Sequence, residues 1–215
     1  MHRHCKGLST IDYRLSTRKI GLMGGTFDPV HYGHLMLAEQ AWETLKLDKV
    51  LFVTAADPPH KNGIEITPVR HRHQMACLAV LNNDHFECSA LEIERPGPSY
   101  TIDTLRQIKG IYGPDCCVYL LVGADEAAAM MTWRDPYAIA ELATIVVANR
   151  PGHSVRDVLK TLPEDFARNV VPLEMPGVDI SSTDMRERAR SGRTIRYLAP
   201  DAVVGYISEE KIYGG

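Results

Sequence analysis

Two histidines three positions apart, His31 and His34, stand in the stretch MGGTFDPVHYGHLMLAEQ (23–40), with Gly33 between them and Gly24 and Gly25 upstream. Residues at this spacing lie on nearly the same helix face, so both imidazoles can point at one ligand, and Gly33 opens room for it. Two glycines directly after an apolar run let the chain turn tightly and bring main-chain N–H groups close to a bulky anion. A helix that starts near His31 to His34 adds its own unpaired N–H groups and the positive end of its dipole. The combination is suited to phosphate, and two imidazole donors there stabilise charge that builds up in phosphoryl or nucleotidyl transfer. Either histidine alone reads as a surface or capping residue. Strand, Gly-Gly, Asp-Pro, His-x-Gly-His and helix in that order are far more specific, and they match neither the GxGxxG fingerprint nor the GxxxxGK[ST] loop.

Four further stretches carry candidate chemistry. In DPPHK (57–61), Pro58 and Pro59 stiffen a loop, and Lys61 is either a phosphate-neutralising group or a solvated charge. In PSYTIDTL (98–105), Thr101 is placed to cap a helix that ends near Gly110. LVGADEAAAMMTWRDP (121–136) sets Gly123 and Asp125 at the end of a buried strand, where the carboxylate either accepts from ribose hydroxyls or an amine, or caps a helix. Trp133, taken alone, is a core or surface anchor. DISSTDMRERARSG (179–192) opens a helix with Ser181, Ser182 and Thr183. Arg186 lies one turn further on, as either a bidentate phosphate contact or a solvated partner of a capping box.

The elements that must hold these groups are legible as β-rich runs at 19–23, 49–55, 86–93, 116–123, 143–149 and 169–175. Between them lie helical patterns. Leu35, Ala38, Ala41, Trp42 and Leu45 form one apolar stripe, and a second helix begins with Thr67 as N-cap and Pro68 at the first helical position. Nearly continuous apolar strands alternating with helices predict an α/β fold, a Rossmann-like doubly wound, mostly parallel sheet with helices on both faces. Its site belongs beyond the carboxyl ends of the strands.

With 215 residues, 45% of them hydrophobic, the chain can bury one full core. We therefore expect a polar N-terminal extension over 1–18, loosely ordered, and a single domain over 19–215. A net charge of −3 supplies no basic field for nucleic acid. Five cysteines, odd in number and without zinc-type spacing, predict reduced structural thiols in a cytoplasmic protein. No apolar run is long enough to span a bilayer or serve as a secretory signal.

GGTFDPVHYGH resembles the first signature of the nucleotidylyltransferase superfamily, whose HxGH motif is related to the HIGH motif of class I aminoacyl-tRNA synthetases. More closely, the chain is similar to the bacterial nicotinate-nucleotide adenylyltransferases from about Lys19 to its C-terminus, with the polar extension outside the likeness. The resemblance implies transfer of AMP from ATP to nicotinate mononucleotide, with Mg2+ accompanying the ATP. It assigns ATP to Gly24, Gly25, Thr26, Phe27, His31 and His34, to Gly123 and Asp125 of the GAD segment, and to Ser181, Ser182, Thr183 and Arg186 of the ISSTxxR pattern. His34, with His31, Lys61 and Arg186, would stabilise the developing charge. Lys61, and secondarily His60, would contact nucleotide phosphates; Tyr100 and Thr101 would meet the pyridine carboxylate and Trp133 would stack on its ring.

No protein metal ligand is expected: without a carboxylate cage, magnesium would be held by nucleotide and water. ATP and nicotinate mononucleotide are thus the expected partners, with neither nucleic acid nor membrane, and with a homo-oligomer left open. The rivals are another small-substrate nucleotidylyltransferase, such as one acting on phosphopantetheine, and a non-catalytic nucleotide-binding regulator. All of this requires that the glycine turn and the serine-rich helix start meet around one triphosphate.

Overall fold

The computed structural model describes residues 17–59, 65–149, 152 and 154–214. Six strands form one sheet: β1 (Lys19–Gly25), β2 (Lys49–Thr54), β3 (Phe86–Ser89), β4 (Cys117–Gly123), β5 (Ala143–Ala148) and β6 (Val170–Leu173). They run in the order β3-β2-β1-β4-β5-β6 with every pairing parallel. The chain therefore winds outward from β1 to β3, returns beside β1 as β4, and winds out the other way. A crevice opens at the carboxyl ends of β1 and β4, where the winding reverses, and doubly wound sheets bind ligands there. Gly24 and Gly25 end one of these strands and Gly123 the other.

Alternation along the strands builds two cores. Leu51 and Val53 of β2 face one and Val50 and Phe52 the other, while Ile145 and Val147 of β5 lie opposite Val146 and Ala148. The first core is covered by α3 (Thr101–Tyr112), α4 (Ala124–Ala128), α5 (Pro136–Leu142), α6 (Val155–Thr161) and α7 (Glu164–Ala167). The second lies under α1 (Tyr32–Leu45), α2 (Val69–Val80), α8 (Ser182–Arg190) and α9 (Asp201–Glu209). None of these helices is long and apolar enough to cross a membrane. Residues 1–16 of the expected N-terminal extension lie outside the described residues.

Several boundaries differ from the sequence expectation for local reasons. Pro68 is itself the N-cap of α2, and the helix starts at Val69. Thr67 stands before the cap, where its N–H donates to Asp28 Oδ2 and its carbonyl accepts from Arg72 Nε. Tyr100, not Thr101, is the N-cap of α3, and Thr101 is the first helical residue. That helix also continues through Gly110 to Tyr112 and is capped by Gly113, whose φ of 95° favours glycine. β3 ends at Ser89, since Ile93 and Glu94 both donate to the Ala90 carbonyl and close a turn. In α1 the fully buried stripe is Leu37, Ala38 and Ala41, with Leu35, Trp42 and Leu45 packed at its edge.

Candidate active site

The glycine turn and the serine-rich helix start do meet. Arg186 Nη1 donates to the Asp28 carbonyl at 2.7 Å and Ser182 Oγ to the Pro29 carbonyl at 2.8 Å, across more than 150 residues of chain. Ser181 caps α8 by accepting from the Asp184 N–H at 3.1 Å, so its hydroxyl is partly committed to the helix. Around this junction lies a cavity of about 290 Å³, lined by Gly24, Gly25, Thr26, Phe27, His31, His34, Gly123, Asp125, Ser181, Ser182, Thr183 and Arg186. Every residue that the resemblance assigned to ATP is present in that lining.

His31 is the N-cap of α1, with extended backbone, and its N–H donates to His34 Nδ1 at 3.2 Å. A ring nitrogen that accepts carries no proton, so neutral His34 holds its proton on Nε2, which makes that nitrogen a donor. The two imidazoles lie 3.8 Å apart between centroids, and the Phe27 ring meets His34 edge-on at 5.2 Å. Gly33 does something other than expected. A Cβ there would sit 3.0 Å from the His31 ring, so the glycine makes space for a histidine before it makes space for a ligand. At Gly24 a Cβ would meet nothing within 4 Å and would project into open space.

A second cavity of about 400 Å³ adjoins the first and is lined by Pro58, Pro59, Glu92, Ser99, Thr101, Thr104 and Trp133. Gly24, Gly25, Thr26, Asp125 and Glu126 line both cavities. Trp133 and Thr101, which the resemblance assigned to the pyridine substrate, share this lining. Tyr100 does not line it: its ring packs under the Arg134 guanidinium, 4.7 Å from the centroid. Lys61 and His60 lie outside the described residues.

Sequence reasoning missed three residues that shape this region. Arg72 on α2 is fully buried, and its guanidinium donates to the carbonyls of Thr67, Thr26, Ala55 and Ala56 at 2.7, 2.8, 2.6 and 3.2 Å. Burial lowers its pKa, offset in part by the Asp28 carboxylate. It ties the carboxyl ends of β1 and β2 together; an arginine in a basic helix start gives no linear sign of this. Ser99 accepts from the Ala56 and Asp57 N–H groups and fixes the loop after β2. Asn149, just past β5, lines the first cavity, and its place at a strand's carboxyl end is a signal that could have been read.

Asp28 is buried and engaged on every side, with Oδ1 accepting from the Tyr213 hydroxyl at 2.6 Å and Oδ2 from the Thr67 N–H. Burial, reinforced by that carboxylate, pushes the Tyr213 phenol well above its ordinary pKa, so it remains a donor at physiological pH. Asp28 is thus a brace for the turn.

Residues 22–188 match a protein-family model described as "Cytidylyltransferase-like", which with this fold defines the protein as a nucleotidyltransferase. It is 45% identical over 195 residues to a "Probable nicotinate-nucleotide adenylyltransferase" of Thermus thermophilus, covering 91% of this chain and 99% of that one. It is 41% identical over 198 residues to a protein of the same description from Thermoanaerobacter sp. (strain X514), covering 91% and 94%. The chain belongs to the nicotinate-nucleotide adenylyltransferase family. Among solved structures, "Plasmodium falciparum nicotinic acid mononucleotide adenylyltransferase complexed with NaAD" shares the fold, with a TM-score of 0.76 at 20% identity over 91% of this chain and 97% of that one. Nucleotidyltransferases generally use a divalent metal.

Proposed function

We propose that the site transfers the AMP moiety of ATP to nicotinate mononucleotide, giving deamido-NAD and pyrophosphate, and that residues 19–215 work as a single nucleotidylyltransferase domain in the cytoplasm. The observation that carries this reading is the common wall of the two cavities, at Gly24, Gly25, Thr26, Asp125 and Glu126. A joining reaction needs two nucleotides with their reacting phosphates at one boundary.

The first cavity takes ATP and the second takes the mononucleotide, with Trp133 stacked on the pyridine ring and Thr101, at the start of α3, near its carboxylate. A phosphate oxygen of the mononucleotide attacks the α-phosphorus in line, and the α–β bridging P–O bond breaks. The nucleophile is already an anion near neutral pH, so no general base is required. His34, donating through Nε2, stabilises the charge that grows on the transferring and leaving phosphates; His31, Arg186, Lys61 and the N–H groups at the start of α8 hold the triphosphate. Magnesium, when bound, neutralises phosphate charge. The donor set fits an ion carried by the nucleotide, because among the described residues no three metal-ligating side chains converge at the cavity and Asp28 is committed to the turn.

The test is pyrophosphate release with ATP and, in parallel, nicotinate mononucleotide, nicotinamide mononucleotide or phosphopantetheine. The acid should exceed the amide in kcat/KM by about two orders of magnitude, because a site built for a carboxylate leaves buried donors unpaired against the amide. Equal rates would overturn the acid-specific assignment, and turnover of phosphopantetheine alone would overturn the reaction.

A Cβ at Gly24 meets nothing within 4 Å, so replacing it by leucine projects an apolar side chain from the common wall toward the cavities. The variant should keep its thermal midpoint within about 2 °C, as expected for a change of under 1 kcal/mol, and lose nucleotide binding in calorimetric titration. Binding at wild-type affinity would place the nucleotide elsewhere.

A further inference from the structure

The cysteines hold an arrangement that their linear spacing conceals. His73 and Cys77 lie one turn apart on α2 and share a face, and Cys88 projects toward that helix from β3, packed on the same side of the sheet as Phe86. Cys77 Sγ is 3.6 Å from His73 Nε2, Cys88 Sγ is 3.6 Å from His73 Nδ1, and one ligand atom from each of the three residues lies within 4.8 Å of the others. All three side chains are partly buried, beneath the Thr54 hydroxyl, which is 3.3 Å from His73 Nδ1.

We propose that His73, Cys77 and Cys88 form a Cys2His site for a thiophilic divalent cation of the zinc class, clasping α2 to β3. Around tetrahedral zinc, sulfur at about 2.3 Å and nitrogen at about 2.0–2.1 Å place neighbouring donors roughly 3.5–3.8 Å apart. The two sulfurs approach opposite nitrogens of the His73 ring, Cys77 at Nε2 and Cys88 at Nδ1, so rotation of the cysteine side chains toward a single ring nitrogen, from donors already within 4.8 Å of one another, brings the set to this spacing. Two thiolates and an imidazole select zinc over magnesium, which prefers oxygen, so this ion is distinct from any that travels with a nucleotide. Three protein ligands leave the fourth position to water. The site also has leverage on its surroundings. Arg72 precedes His73 directly, so an ion that holds α2 against the sheet also holds the guanidinium that gathers the Thr26, Ala55 and Ala56 carbonyls. Metal binding here needs these three side chains alone and does not depend on which nucleotides the enzyme joins.

The full-length protein, reduced and stripped of metal under anaerobic conditions, is titrated with Co2+ alone. One equivalent should bind with intense sulfur-to-cobalt charge-transfer absorption and the visible bands of tetrahedral cobalt, and Zn2+ should displace it. C77S and C88S should each lose the charge-transfer bands while retaining wild-type far-UV circular dichroism, and C116S/C117S should keep them. A second measurement covers a variant that folds poorly: Zn2+ at about a hundred times its Kd should raise the wild-type thermal midpoint by about 5–10 °C. Absence of charge-transfer absorption in the wild type, its persistence in both C77S and C88S, or a wild-type midpoint unmoved by Zn2+ would each overturn the site.

Discussion

His34→Ala should lower kcat by about 10²–10³ while the KM for ATP changes only a few-fold, because deleting one preorganised donor to developing charge typically costs about 2.7–4 kcal/mol in the transition state. The prediction rests on the tautomer set by the His31 N–H. With Nδ1 accepting that bond at 3.2 Å, the donor left to the ring is Nε2. Losing the ring also removes the acceptor at the start of α1, a stability cost of about 1 kcal/mol that leaves the fold intact. Stopped-flow pyrophosphate detection beside far-UV circular dichroism separates the two effects. Turnover near that of the wild type would remove His34 from the chemistry.

Arg72→Met should cost about 3–5 kcal/mol of stability, read as a lower denaturant midpoint at unchanged m-value, since it strips the donors from four carbonyls gathered around a fully buried guanidinium. Activity should fall more than the folded fraction does. Thr26 lines both cavities and its carbonyl is one of the four, so the wall between the substrates loosens with it. Lysine should rescue poorly, because one compact ammonium cannot reproduce a planar fork that spans four acceptors. A methionine variant with the wild-type midpoint would mean that those carbonyls are satisfied in another way.

What can be read from the sequence divides along physical lines. Strands buried on both faces announce themselves as apolar runs, so the six strands and the parallel sheet are legible, and so is a crevice beyond the strands' carboxyl ends. The residues of the first cavity are legible too, because Gly24, His31, His34 and Ser181 sit where one local motif joins a strand to a helix or opens a helix. Long-range bonds of single side chains are not. Nothing near Arg72 in the chain shows that its partners are the ends of two strands, and nothing near Asp28 shows that Tyr213 will reach it. Gly33 escapes a linear reading for the same reason: only the rotamer of His31 reveals what would strike its Cβ. The thiols of Cys77 and Cys88 look inert in the sequence because their meeting depends on how α2 crosses β3.

The bonds from Ser182 to Pro29 and from Arg186 to Asp28 have a consequence for the life of the chain in the cell. On the function proposed above, the complete triphosphate site needs both halves, and saturating nucleotide favours the finished fold by RT ln(1 + [L]/Kd), about 2.7 kcal/mol at a hundredfold excess. Starvation for nucleotide would then lower not only the rate of this enzyme but the share of its molecules that escape degradation.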